Sequence, residues 1–345
     1  MNIIKSIVQF FVSLFKKNKL AENTFGTGCV PQPEDKRDYK MSLGSGSFDW
    51  NTGYDVEADL TAMWSKPFQM TTEDQDGSSS CVGQASSMYA SVLNYVEKGK
   101  WEKLSARDIY SWIYLLYGGA YLRDSMSRIV EFGLLPEKEC PSYENGQPPS
   151  EVFMRNRFKE VPQFTNMVRD LTKSVEYVSV PTSIDEFAKA ITLHKGMILG
   201  VRGDNNGTWF SEFPVPPTKS TWGHALYACR AKMINGKKYI GFKNSWGNVG
   251  VNGFQWLGEE WFNTNNVFDG WILFDRGNQV DREADFQKVQ KAIDAIEPTL
   301  PTPGTSIYHS ENWPKVLTMA GVPDITWGMY YDWAMVQKFR KDYNI

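Results

Sequence analysis

The sequence predicts an α+β protein in which a helical first half and an antiparallel second half pack as two separate layers. Three observations carry this expectation. Between about positions 81 and 196, apolar residues recur at three- and four-residue spacing, the period of helices with one buried face. From Met197 the texture changes to short strand-like runs, "MILGVRG", "HALYACRAKMI", "KKYIGFKNSW" and "NGFQWLG". Asn235-Gly236 lies between two of these runs, where both residues of a two-residue hairpin turn need a positive φ. Runs of helices followed by runs of strands bury their apolar faces against one another as layers.

The bulk composition bounds the function. The chain has 345 residues, 41% hydrophobic and 22% charged, enough for a packed core. A net charge of -3 lacks the basic excess of a nucleic-acid binder, so no nucleic-acid partner is expected. Aromatics reach 14%, with 13 Trp, which fits a protein rich in grooves and contact surfaces but names no function. The four cysteines, Cys29, Cys81, Cys140 and Cys229, show no C-x-x-C spacing and leave room for one bridge, Cys29 to Cys140. There are three histidines, His194, His224 and His309, so any Cys/His chemistry must use one of them.

Taken in order, residues 1–20 form an amphipathic helix with a broad apolar side. Lys5, Ser6, Gln9, Ser13 and Lys16 share its narrow polar face. The run is too short to span a bilayer. It can dock on protein, lie on a membrane surface with Lys16, Lys17 and Lys19 at the headgroups, or serve as a signal peptide. Residues 21–58 read as an extended leader rich in Gly, Pro, Asn and Asp.

The globular domain is expected over 59–276. Its first helix runs from Cys81 through Val96, and a second is capped in "LSARDIYSWIYLLYGGA" and closes at Gly118-Gly119. A third ends at Gly133, and a fourth starts after Ser183 and stops at Gly196. His194, at the end of that helix, reads as a C-terminal dipole partner. Residues 277–345 form a helical, Pro-rich, aromatic tail. A helix there carries a Phe286, Val289, Ile293 and Ile296 stripe, followed by a linker, "PTLPTPGTS", and several Trp and Tyr that offer a surface for a protein partner.

The chemistry concentrates on four residues. Cys81 opens a helix, and a thiol needs a helix N-terminus or a positive neighbour to ionise. His224 begins a strand and supplies an imidazole for the ion pair and for proton transfer. Asn244 ends the next strand across the hairpin, placed to orient His224. Gln75 lies in the turn feeding the helix, where its side-chain amide and the Cys81 N–H can share an oxyanion hole. Trp246 is placed to cover the His–Asn hydrogen bond.

These residues resemble the papain-like (C1) cysteine peptidases. Gln-x5-Cys at a helix start, Gly-His-Ala at a strand start and Asn-Ser-Trp-Gly after it stand in the family's order. His224 follows Cys81 by 143 residues (224 − 81), within the family's roughly 130–150. "KLSARDIY", "YGGA", "FGLLPEKECPSY" and "NSWGNVGVNGFQWL" add supporting pieces over about Asp59 to Phe274. "PEDKRDYK" resembles a short leader of some microbial and viral relatives, which points to a divergent microbial or viral type.

The resemblance implies a two-layer papain-like fold with the cleft between the layers, and a thiol endopeptidase acting on protein or peptide substrates. It implies Cys81, His224, Asn244 and Gln75 as the catalytic set, Gly118, Gly119 and Gly223 as substrate contacts, and no metal or organic cofactor. The sequence departs from the family at Ser78, where a disulfide cysteine is usual, at Ser79 for Gly, and at Val82 for Trp. Two other readings stand beside the peptidase: a papain-fold structural or binding component of a larger assembly, and a Cys/His amidase acting on cell-wall peptides.

Overall fold

The computed structural model describes residues 28–33, 35, 47–75, 77–156, 175–275, 279–299, 312–322, 330 and 334. The expected helix at 1–20 lies outside the described residues, as do much of the leader and most of the tail.

Among the described residues, five helices make the first layer: α1 (Val56–Trp64), α2 (Cys81–Lys98), α3 (Ala106–Ile113), α4 (Leu122–Phe132) and α5 (Glu151–Arg155). Their starts follow local chemistry. Asp55, Ser105 and Ser150 each accept a first-turn N–H that has no helical partner. The long α2 is buried on nearly every side because it lies between α3 and the sheet. Small residues let it sit that deep: a Cβ on Gly83 would come within 2.8 Å of the Ala106 carbonyl oxygen. Its buried hydroxyls are paired, Ser91 with the Ser87 carbonyl one turn back and Ser86 with Ser125 of α4. Helix α3 ends at Ile113, short of the expected Gly118-Gly119. There Tyr114 turns extended, and a tight turn, Gly118 N–H to Leu115 C=O, brings Gly119 to the cleft.

The second layer is an antiparallel sheet of β1 (Tyr54–Asp55), β2 (Val175–Ser179), β3 (Met197–Gly203), β4 (Trp222–Ile234), β5 (Lys237–Lys243), β6 (Phe254–Gly258) and β7 (Val267–Asp275). The order is β2-β7-β3-β4-β5-β6, with β1 paired to the far half of β4. The β4–β5 hairpin turns at Asn235-Gly236, whose φ values of 49° and 77° are those the dipeptide signals. Helix α6 (Ile184–His194), capped by Ser183, and α7 (Glu259–Asn263) flank the sheet. Beyond it, α8 (Gln279–Ile296) buries Val289 and Ile293 and packs on α9 (Trp313–Ala320).

The fold is therefore the two-layer α+β arrangement the sequence predicts. It puts Cys81 at the sheet-facing end of the helical layer and His224 on the third residue of β4.

Candidate active site

Helix α2 begins at Cys81 without a side-chain cap from Ser80, so its first-turn N–H groups are available to the site. The preceding turn is held by hydroxyls. Ser78 Oγ bonds Ser80 Oγ at 2.7 Å and the Gln75 carbonyl at 2.9 Å. Gly77, with φ 88°, supplies the left-handed residue the turn needs. Ser79 has no positive φ, so its position does not require glycine. Instead its N–H donates to Glu151 Oε2 at 2.7 Å.

Gln75 is fully buried and tied to the sheet layer. Its N–H donates to the Ser245 carbonyl at 2.8 Å, and Ser245 Oγ donates to Gln75 Oε1 at 2.5 Å. With Oε1 engaged, the amide nitrogen is the end turned to the helix start, where it donates to the Ser78 carbonyl at 3.2 Å. Behind this turn, Glu73 pairs with Lys103 at 2.5 Å and accepts from Tyr143.

His224 Nε2 lies 2.9 Å from Asn244 Oδ1. The Asn244 oxygen also accepts the Ser245 N–H at 2.8 Å. Trp246 stacks on the His224 ring with centroids 4.5 Å apart and planes 23° apart. Trp209 and Trp222 meet the same ring edge-on. His224 and Asn244 are buried, so their hydrogen bond lies in an aromatic box away from water.

The Cys81 thiol is closed off from solvent. Burial pushes its pKa up to about 12, outweighing the N–H groups of Ala225, Val82 and Cys81 itself, which pull it down; the Glu151 charge adds to the rise. Ala225 follows His224 on β4, so the sulfur sits against the strand that carries the imidazole. At this helix N-terminus burial outweighs the pull of the N–H groups on the thiol.

The covering group is the chain's own leader. Gly28 and Cys29 N–H donate to the Gly223 carbonyl at 3.0 and 3.1 Å; Val30 N–H donates to the Ala120 carbonyl at 3.1 Å, and Ala120 N–H to the Gly28 carbonyl at 2.7 Å. A Cβ on Gly28 would lie 3.0 Å from Cys81 Sγ. Further on, Gln32 Oε1 accepts the Arg123 N–H at the start of α4, and the Arg123 guanidinium donates to the Pro33 carbonyl. Cys29 is buried beside Gly200, and its pKa is raised by burial first and then by Cys81 and Asp269.

Of the three glycines expected at substrate, Gly119 and Gly223 both touch this segment: a Cβ on Gly119 would lie 2.3 Å from the Gly28 oxygen, and one on Gly223 2.1 Å from the Cys29 oxygen. Gly118 instead faces Ser79 Oγ. The backbone bonds to the segment come from Gly223 and from Ala120, and Ala120 stands outside the expected set. Neither Cys29 nor Cys140 is in a disulfide, so the bridge left open between them is absent. His194 lies in the last turn of α6, where burial pushes its pKa down to about 4.

Gln255 also escaped the sequence reading. Its signal is a lone amide in "FQWLG", a strand whose five residues are all buried.

This is the fold of the papain-like cysteine proteases. Xylellain, a cysteine protease from Xylella fastidiosa, superposes with a TM-score of 0.56 at 21% identity over 72% of this chain and 96% of its own. The ragweed Amb a 11 cysteine protease in its proform gives 0.51 at 16%, over 67% of each chain. ProCathepsin B S9 from Trypanosoma congolense gives 0.52 at 14%, over 78% of this chain and 97% of that one. No protein-family model matches the chain, and no curated protein matches it in sequence. At these identities the likeness is one of fold.

Proposed function

We propose that the protein is a thiol endopeptidase that holds its own leader in the cleft until that segment is displaced. The observation that supports this most is the convergence of both layers on Cys81. The sulfur meets the strand residue next to His224, His224 is held by Asn244, and Gln75 is fixed by Ser245 beside the same helix start.

The steps follow from these groups. With the leader lifted, Cys81 loses its proton to His224 and the thiolate adds to a peptide carbonyl, forming a C–S bond. The Cys81 N–H and the Gln75 amide hold the oxyanion. His224 then gives its proton to the leaving amine as the C–N bond breaks, leaving a thioester. Water, deprotonated by His224, attacks that carbonyl and the thiolate departs. Asn244 keeps the ring oriented throughout, under Trp246.

Labelling with an epoxide-type thiol-protease inhibitor tests this reading. A mapped adduct on Cys81, lost in Cys81→Ala, supports it. An unlabelled Cys81 under reducing conditions at neutral pH, in protein lacking residues 1–46, counts against it. The structural and cell-wall amidase readings then become the ones to pursue.

A further inference from the structure

Gln255 sits on β6, hydrogen-bonded to Asn244 at 2.6 Å although 11 residues from it in sequence. Its Nε2 donates to two backbone carbonyls, Trp209 and Ser211, both at 2.7 Å. Carbonyl oxygens only accept, so the amide's other end must be Oε1. That oxygen accepts from Asn244 Nδ2 at 2.6 Å. Asn244 therefore turns Oδ1 to the His224 ring, and Nε2 of His224 carries the hydrogen. The order of donors and acceptors is set from the 209–211 backbone inward, one amide at a time.

The Ser245 N–H also bonds Asn244 Oδ1. It belongs to the adjacent residue, so it shares in setting the amide's polarity, while the bond that ties the side chain to another element comes from Gln255. Gln255 ties Asn244 to a different strand and to the short turn Thr208–Phe210 that carries Trp209, whose ring meets His224. A buried amide with every bond satisfied is a rigid link, and losing it leaves two carbonyls and an NH2 group unpaired.

We propose that Gln255 is a positioning residue that sets the Asn244 amide and, through it, the His224 tautomer. The inference rests on the peptidase reading for its catalytic meaning, while its structural content can be measured without it.

The test uses the full-length protein with two readouts: the rate of Cys81 alkylation by iodoacetamide, and the ring nitrogens of His224 by ¹⁵N NMR at pH 8. Gln255→Leu is expected to slow alkylation about tenfold, the scale of one mis-set buried hydrogen bond, and to mix the two ring tautomers. In an Asn244→Ala background the same change is expected to add less than twofold, because the path through Asn244 is already cut. Equal losses in both backgrounds mean that Gln255 acts through packing alone and overturn the inference, as does an unchanged ring spectrum. If Gln255→Leu does not fold, the near-isosteric Gln255→Met carries the same measurements. A protein lacking residues 1–46 whose Cys81 takes no epoxide counts against the peptidase reading, yet the ring spectrum of the full-length protein still judges Gln255.

Discussion

A single methyl group on Gly28 tests whether the leader gates the thiol. The new Cβ would lie 2.1 Å from the Ser79 carbonyl oxygen and 3.0 Å from Cys81 Sγ. The obstructing oxygen is backbone at the mouth of α2, so it cannot swing aside. Gly28 does not use the left-handed region, so Gly28→Ala changes the space and not the backbone preference. The segment has to lift, which opens four backbone bonds: two to Gly223 and two with Ala120. At about 0.5–1 kcal/mol net per bond, their loss costs about 2–4 kcal/mol. With about 1.4 kcal/mol per decade, the open population rises about 30- to 1,000-fold. Where opening is fast relative to alkylation, the rate of labelling follows that population.

The assay is iodoacetamide labelling at pH 7.5 with each cysteine mapped by mass spectrometry. Cys81 and Cys29 should gain together, since both are covered by the same contact, while Cys140 and Cys229 stay protected. The labelling midpoint of Cys81 should also move down in pH, because burial is the first cause of its raised value. A Cys81 rate within twofold of the parent refutes the gating argument. So does an equal rise at all four cysteines, which marks general unfolding.

Two further outcomes follow from the site and one from the core. Gln75→Ala should lower kcat about 10²- to 10³-fold in the leader-free protein with little change in KM, the loss expected for one oxyanion donor; a change confined to KM would contradict that role. Ser245→Ala frees Gln75 Oε1, and should lower kcat by less than Gln75→Ala does; an equal or larger loss would assign Ser245 a direct part. His194 titrates at about 4 in the fold against an ordinary 6.5, so the unfolded chain binds the extra proton between those values and stability falls as pH drops through that window. Urea midpoints at pH 7 and pH 4.5 should therefore converge in His194→Gln relative to the parent, and parallel shifts in both proteins would refute the assignment.

Much of the fold was legible because local signals agreed with tertiary demands. Ser183 capped its helix, Gly133 ended another, and Asn235-Gly236 turned the hairpin that brings His224 to Asn244. Strands β2 and β7 were not picked out: "VFDGWILFD" carries Asp and Gly within its buried run, and its partner β2 is short. Helix α3 stopped early because Tyr114 and the turn after it serve the cleft rather than the helix. Gln255 was invisible as a site residue because its meaning depends on two carbonyls some 44 to 46 residues away.

The sequence by itself determined the layer order, the residue types of the candidate site and their places at a helix start and on paired strands. These depend on period, caps and turn chemistry, which act over a few residues. Only the tertiary structure decided the state of that site. The buried thiol, the aromatic box around His224, the amide relay from Gln255 and the leader across the cleft all arise from groups distant in sequence. Burial and hydrogen-bond partners are properties of the packed whole, and a pKa near a helix start follows them rather than the helix alone.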